Sequence, residues 1–174
     1  MKRLALCLTG ASNSGKTTLI CKISKALKQR GFKVAIIKHD PKDKAVFDTA
    51  LNEFGEPKDS AKFFESGADV AVLSPKRTSI FKRADNTRLS DILGLFSEFD
   101  YLLIEGFKNL PLPRISVMRD EINDEYLGIS DAFVTNLDDE RLSPRFGLDD
   151  IENIIAWIDK NAKKVRESIT DILY

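Results

Sequence analysis

Residues 10–17 read Gly-Ala-Ser-Asn-Ser-Gly-Lys-Thr and fit the pattern G-x-x-x-x-G-K-[ST]; the apolar run Leu4 to Leu8 stands just before them. A strand feeding a glycine-rich loop that opens into a helix restricts the fold more than any other feature of this chain. Glycine accepts positive φ, so consecutive backbone N–H groups can converge on one anion. The N-terminus of the following helix adds roughly half a positive charge. Lys16 carries a mobile ammonium that can follow the β- and γ-phosphates. Thr17 offers a hydroxyl to Mg²⁺, which demands hard oxygen ligands. The spacing predicts a nucleoside triphosphate site lined by Gly10, Ser12, Asn13, Ser14, Gly15, Lys16, Thr17 and Thr18.

The other apolar segments are short and continuous: Val34 to Ile37, Val70 to Leu73, Tyr101 to Ile104 and Ala132 to Val134. Such runs predict strands covered on both faces. Between several of them lie helical patterns. Leu19, Ile20, Ile23, Ala26 and Leu27 share one face, Lys22, Lys25, Lys28 and Gln29 the other, and Gly31 follows as a stop. Alternating strand and helix predicts an α/β P-loop NTPase fold, a doubly wound, mostly parallel sheet with helices on both faces. A length of 174 residues suits one domain spanning 1–174. Its last part, 148–174, repeats apolar residues at spacings of three and four from Leu148 to Ile172. That pattern predicts a helical segment laid on the sheet, or one whose last turns pack on a partner subunit.

Composition narrows the function. Lys plus Arg and Asp plus Glu both number 27, so the net charge is zero. Non-specific nucleic-acid binding rests on excess positive charge, so no nucleic-acid partner is expected. Cys7 and Cys21 are too few for a disulfide framework and sit among apolar residues, which reads as two reduced core thiols. The run after Met1-Lys2-Arg3 is shorter than the roughly 7–15 residues of a secretory h-region. No segment approaches the roughly 18 apolar residues that span a bilayer. A cytoplasmic protein without a membrane partner is expected.

The remaining parts of a triphosphate site belong at the carboxyl ends of neighbouring parallel strands. Lys38-His39-Asp40 follows Val34 to Ile37, and Glu105-Gly106 follows Tyr101 to Ile104. An acid at such a strand end can hold Mg²⁺ or orient water, which makes Asp40 and Glu105 candidate metal ligands beside Thr17, and candidate catalytic groups beside Lys16. Either acid also reads as a solvated loop carboxylate. His39, the only histidine, reads equally as structural or catalytic. Phosphoryl transfer often uses an arginine; Arg77, Arg83, Arg88, Arg114 and Arg119 are available and no motif selects among them.

Two regions break the alternation. Residues 39–57 form a long connection rich in Lys, Asp and Pro. Residues 76–88 carry five positive charges around a Thr78 to Phe81 strand, and serve as a lid, an anion-binding surface or a solvated face. Thr135-Asn136-Leu137-Asp138 approximates the N-K-x-D guanine loop, one residue short and without its Lys. Thr135, Asn136 and Asp138 are therefore candidate base contacts, and spacing alone leaves the base open.

With these motifs in place, the chain resembles the molybdopterin-guanine dinucleotide biosynthesis protein B family. The resemblance runs through Thr9 to Thr18, Ile37-Lys38-His39-Asp40-Pro41, Lys58-Asp59-Ser60 with Gly67-Ala68, Glu105-Gly106-Phe107-Lys108, and Phe146 to Asp150. It implies a GTP-binding protein that uses Mg²⁺, hydrolyses GTP slowly and forms a homodimer. It further implies an auxiliary role beside the guanylyltransferase that attaches GMP to molybdopterin, with the pterin a candidate further ligand. The residues by themselves also fit a small-molecule kinase, or an interaction module that holds nucleotide only for stability.

Overall fold

A computed structural model of the chain describes residues 2–40, 59–83, 88–96 and 98–165. These fall into two compact units, one made of residues 1–39 and 88–174, the other of residues 40–87. In chain order the elements are β1 (Leu4–Gly10), α1 (Lys16–Gln29), β2 (Val34–Lys38), α2 (Asp59–Glu65), β3 (Val70–Ser74), β4 (Arg77–Phe81) and α3 (Leu89–Leu95). They continue as β5 (Tyr101–Glu105), β6 (Arg114–Met118), α4 (Asp124–Leu127), β7 (Ala132–Thr135), β8 (Arg145–Phe146), α5 (Ile151–Asn161) and β9 (Lys163–Lys164).

The first unit is a seven-stranded sheet in the order β2-β5-β1-β6-β7-β8, with β9 added to β1. Every pairing along that path is parallel. Alternation along each strand divides the apolar residues between two faces. Leu6, Leu8, Leu103, Ile115 and Val134 pack with Ile23 and Leu27 of α1 and Ile155 and Ile158 of α5. Ala5, Cys7, Ile37, Leu102 and Ile104 pack on the opposite face with Leu89 and Leu93 of α3. Over β1, β5 and β7 water reaches neither face, which is why these strands read as unbroken apolar runs; β2, expected to be covered on both faces, leaves Ile36 exposed. The doubly wound α/β P-loop fold expected from the sequence is present.

α1 forms where periodicity placed it. Leu19, Ile20, Ile23 and Leu27 are buried and form its inner face. It ends in a Schellman pattern: Phe32 N–H donates to Leu27 O at 3.1 Å and Gly31 N–H to Lys28 O at 3.0 Å. Truncating fully buried Ile23 or Leu27 to alanine should cost about 2–5 kcal/mol.

Four local expectations need correction. Cys21 is exposed, not a core thiol, because it lies on the outer side of α1; Cys7 is buried in β1. β3 is not a doubly covered strand of the parallel sheet. Among the described residues it pairs only with β4, antiparallel from Val70↔Phe81 to Ser74↔Arg77, in the second unit, and Leu73 is 78% exposed. An apolar run of five residues cannot by itself tell a core strand from a hairpin arm. At the C-terminus, the expected helical segment is interrupted after residue 161, and residues 166–174 lie outside the described residues. α5 stops at Asn161, Ala162 takes extended geometry (φ −57°, ψ 140°), and Lys163 and Lys164 pair with Ala5 and Leu4. β6 pairs with β1 only over Cys7–Gly10, so the first residues of β1 keep an open edge for β9. Finally, β6 itself was not anticipated, because Arg114 and Ser116 interrupt its apolar pattern, yet all five of its residues are buried.

Those two polar side chains are bonded within the fold. The Ser116 hydroxyl meets Thr9 Oγ1 at 2.7 Å and accepts from Ser130 Oγ at 2.6 Å. Arg114 Nη2 donates to three carbonyls, of Phe107, Lys108 and Leu110, at 3.2, 2.9 and 3.2 Å. Of the long connection, residues 41–57 lie outside the described residues, as do residues 84–87 of the 76–88 segment.

Candidate functional site

The chain leaves β1 for α1 and β2 on one side, while β6 and β7 lie on the other side of β1. The carboxyl end of β1 is therefore the point where strand order reverses, the usual ligand crevice of an open α/β sheet. The Gly10–Thr17 loop emerges there. Gly10 has φ +141°, and a Cβ on it would come within 2.5 Å of Val117 O. Only glycine lets the loop start this close to β6. Asn13 also takes positive φ, at 62°, and Gly15 caps α1 at φ 98°.

Lys16 Nζ donates across the loop to Ala11 O at 2.6 Å. Ser12, Asn13, Gly15, Lys16, Thr17 and Thr18 line one groove together with Lys38 and Glu105. Glu105 reaches it because the β5 ladder sets it beside Leu8 of β1 and Lys38 of β2. Burial holds the Lys16 ammonium below its ordinary pKa of 10.5; Glu105 raises it and Lys38 lowers it further. The strand end is pinned by His39 N–H to Glu105 O at 2.9 Å and Gly106 N–H to Leu8 O at 2.9 Å. Gly106 has φ +90°, and a Cβ there would sit 2.9 Å from His39 Cβ. The His39 ring instead stacks on Phe107, with centroids 4.2 Å apart, and its Nδ1 accepts from Phe107 N–H at 3.3 Å. His39 thus joins two strand ends.

The donors suit a hard cation carried in by phosphates. Among the described residues no group of three or more His, Cys, Asp or Glu side chains could hold a metal ion. The Thr17 hydroxyl and the Glu105 carboxylate share the groove with the loop. Their hard oxygens would suit Mg²⁺, with phosphate oxygens and water supplying its other ligands.

Other residues singled out in the sequence fall elsewhere. Asp40 is the first residue of the second unit. Thr135 ends β7 and is buried, its hydroxyl accepting from Leu137 N–H at 2.9 Å. It lies two strands from β1, roughly 10 Å at normal spacing. Asn136 is exposed. The Asp138 side chain is 92% exposed and ion-paired with Arg145.

Of the five arginines, Arg114 is interior. Arg77 lies in β4, and Arg83, also in the second unit, stacks over Phe64 at 3.9 Å. Arg88 precedes α3, its N–H bonded to Asp91. Arg119 is placed at the loop: its guanidinium lies 3.5 Å from where a Cβ on Gly15 would stand. It also lines a second hollow with Ser12, Asn13, Ser14, Asp120, Glu121 and Tyr126. Motif reading missed Lys38 and could not select Arg119, because strand pairing, not spacing, brings both to the loop.

Comparison with known proteins bears on the family and the fold. The sequence profile of the family "Molybdopterin guanine dinucleotide synthesis protein B" matches residues 5–137. A molybdopterin-guanine dinucleotide biosynthesis adapter protein of Haemophilus influenzae is 33% identical over 132 residues, covering 69% of this chain and 69% of that protein. A probable adapter protein of the same name from Bacillus subtilis is 30% identical, covering 66% of this chain and 64% of that one. The crystal structure of a molybdopterin-guanine biosynthesis protein B superposes with a TM-score of 0.67 at 27% identity, over 90% of this chain and 99% of that one. The chain belongs to the molybdopterin-guanine dinucleotide synthesis protein B family.

Proposed function

We propose that this protein binds Mg²⁺-GTP at the Gly10–Thr17 loop, hydrolyses it slowly, and acts as an adapter in molybdopterin-guanine dinucleotide biosynthesis. One observation carries the nucleotide reading. The loop stands at the switch point of the sheet with Lys16, Thr17 and Glu105 in a single groove. In the proposed complex the loop N–H groups and Lys16 hold the phosphates, while Thr17 and Glu105 hold the metal, with Asp40 as a further acid. Thr135, Asn136 and Asp138 meet the base. The adapter role rests on family membership and on the two adapter proteins it resembles.

The partner is the guanylyltransferase that joins GMP to molybdopterin, with the pterin a further candidate ligand, and the protein works as a cytoplasmic homodimer. Exposed Leu73 and Ile80 of the β3–β4 hairpin support self-association. Among the described residues, no helix is long and apolar enough to cross a membrane. Turnover by the isolated protein should be slow, on the order of 10⁻⁴ to 10⁻² per second, the range of such folds without a partner's help. The test is phosphate release from GTP by wild type and by Lys16→Ala. Many turnovers per second, or release unaffected by Lys16→Ala, would remove the proposal.

The hollow beside Ser12 and Asn13 supports a second reading, a small-molecule kinase. Arg119, Asp120 and Glu121 line it next to the phosphate loop, where an acceptor could stand. Transfer of the γ-phosphate to a molecule other than water would favour this reading.

A further inference from the structure

Lys38 ends β2, where the ladder sets it beside Glu105. It lines the groove that also holds Lys16 and Thr17. Two ammonium groups therefore share one groove with a single carboxylate, above the positive end of α1. On Lys16, burial disfavours the ammonium most, Glu105 offsets part of that, and Lys38 disfavours it by a smaller amount. Like charges held this close are unfavourable by themselves, and an arriving polyanion relieves them. The backbone around Lys38 is fixed, since the next residue, His39, bonds its N–H to Glu105 O at 2.9 Å.

Lys16 springs from the loop itself and reaches the phosphates along α1. Lys38 approaches from β2, on the far side of β5 from β1. A metal held by Thr17 and Glu105 would lie by the outer phosphates, and Lys38, the register partner of Glu105, would then meet that end of the chain. We infer that Lys38 is a second phosphate-binding lysine of this site, that it contacts the terminal phosphate of a bound nucleoside triphosphate, and that it lets the protein distinguish triphosphate from diphosphate. This inference rests on the nucleotide reading proposed above. A cation on β2 would also supply charge at the place where many phosphoryl-transfer proteins use an arginine.

The test compares GDP with a non-hydrolysable GTP analogue, both with Mg²⁺, by calorimetry on the full chain. Lys38→Met should weaken the analogue about tenfold or more, the scale of one charge-assisted hydrogen bond, and change GDP less than about twofold. Lys38→Arg should keep the analogue within about threefold of wild type, since a guanidinium also binds phosphate. Lys16→Ala should weaken both nucleotides. Lys38 is exposed, so melting temperatures should match wild type, and Lys38→Gln replaces the methionine variant if they do not.

Equal weakening of GDP and analogue would overturn the terminal-phosphate contact, and so would no weakening of either. If Lys16→Ala leaves both affinities intact, the nucleotide reading itself fails. If Lys16→Ala weakens both while Lys38→Met is not selective, the assignment of Lys38 alone fails.

Discussion

Arg145 is bonded through Nη2 to the carboxylate of Asp138, the residue best placed by sequence to read a guanine base. Both side chains are exposed, so the pair is weak, within about 1 kcal/mol, and a base offering two donors can displace the arginine. GTP should therefore bind at least about tenfold more tightly than ATP, and Asp138→Ala should erase most of that difference. Arg145→Ala frees the carboxylate and should keep the preference or enlarge it. Competition between the nucleotides on the three proteins decides the matter. Equal affinities on wild type exclude guanine selectivity, and a preference surviving Asp138→Ala places the reader of the base elsewhere.

The lowered pKa of Lys16 makes binding depend on pH in a defined direction. In the free protein burial favours the neutral amine, and a bound polyphosphate favours the ammonium. The bound pKa is thus the higher of the two. Affinity is full below the free-state pKa and falls as pH rises between the two values, by up to about tenfold per unit. The fall should begin on the alkaline side, below the ordinary lysine value of 10.5. Calorimetry in buffers of different ionisation enthalpy should show proton uptake on binding there. Lys16→Arg should abolish both effects.

Cys7 and Cys21 should separate by reactivity. Burial pushes the Cys7 thiol up to about 11, whereas Cys21 is exposed on α1. A thiolate-specific reagent near pH 8 should modify one thiol per native chain and two after unfolding. Cys21→Ser should leave the native chain unreactive. Two fast thiols in the native protein would mean that the β1 core opens readily.

Arg114 should behave as a structural residue. Its guanidinium ties Phe107, Lys108 and Leu110 together beneath the Gly106 turn. Arg114→Ala leaves three carbonyls without that donor and should lower stability by roughly 3 kcal/mol in urea denaturation. A change below about 0.5 kcal/mol, the scale of an ordinary surface substitution, would show that other groups hold the turn.

Much was determined locally. The phosphate loop, the strand before it and α1 after it follow from short-range chemistry: glycine at φ +141° and +98°, an apolar stripe at helical spacing, and a Schellman stop at Gly31. β5 and β7 were legible because strands covered on both faces need apolar residues at every position, and β2 because Val34 to Ile37 is apolar throughout although Ile36 is exposed. Partners across the sheet were not legible, because the sequence does not contain strand order. Lys38 beside Glu105, Arg119 against Gly15 and Ser116 against Thr9 each join segments that only the sheet brings together. The same limit hid β6, where buried Ser116 looks like a surface residue until Thr9 of β1 is in place, and buried Arg114 until the chain just before it folds back to offer its carbonyls. It also hid the end of α5, because the free edge that takes Lys163 and Lys164 exists only once β6 has paired with the other half of β1. Local propensity determines what a segment can become, and the burial and pairing of its edges determine what it does become.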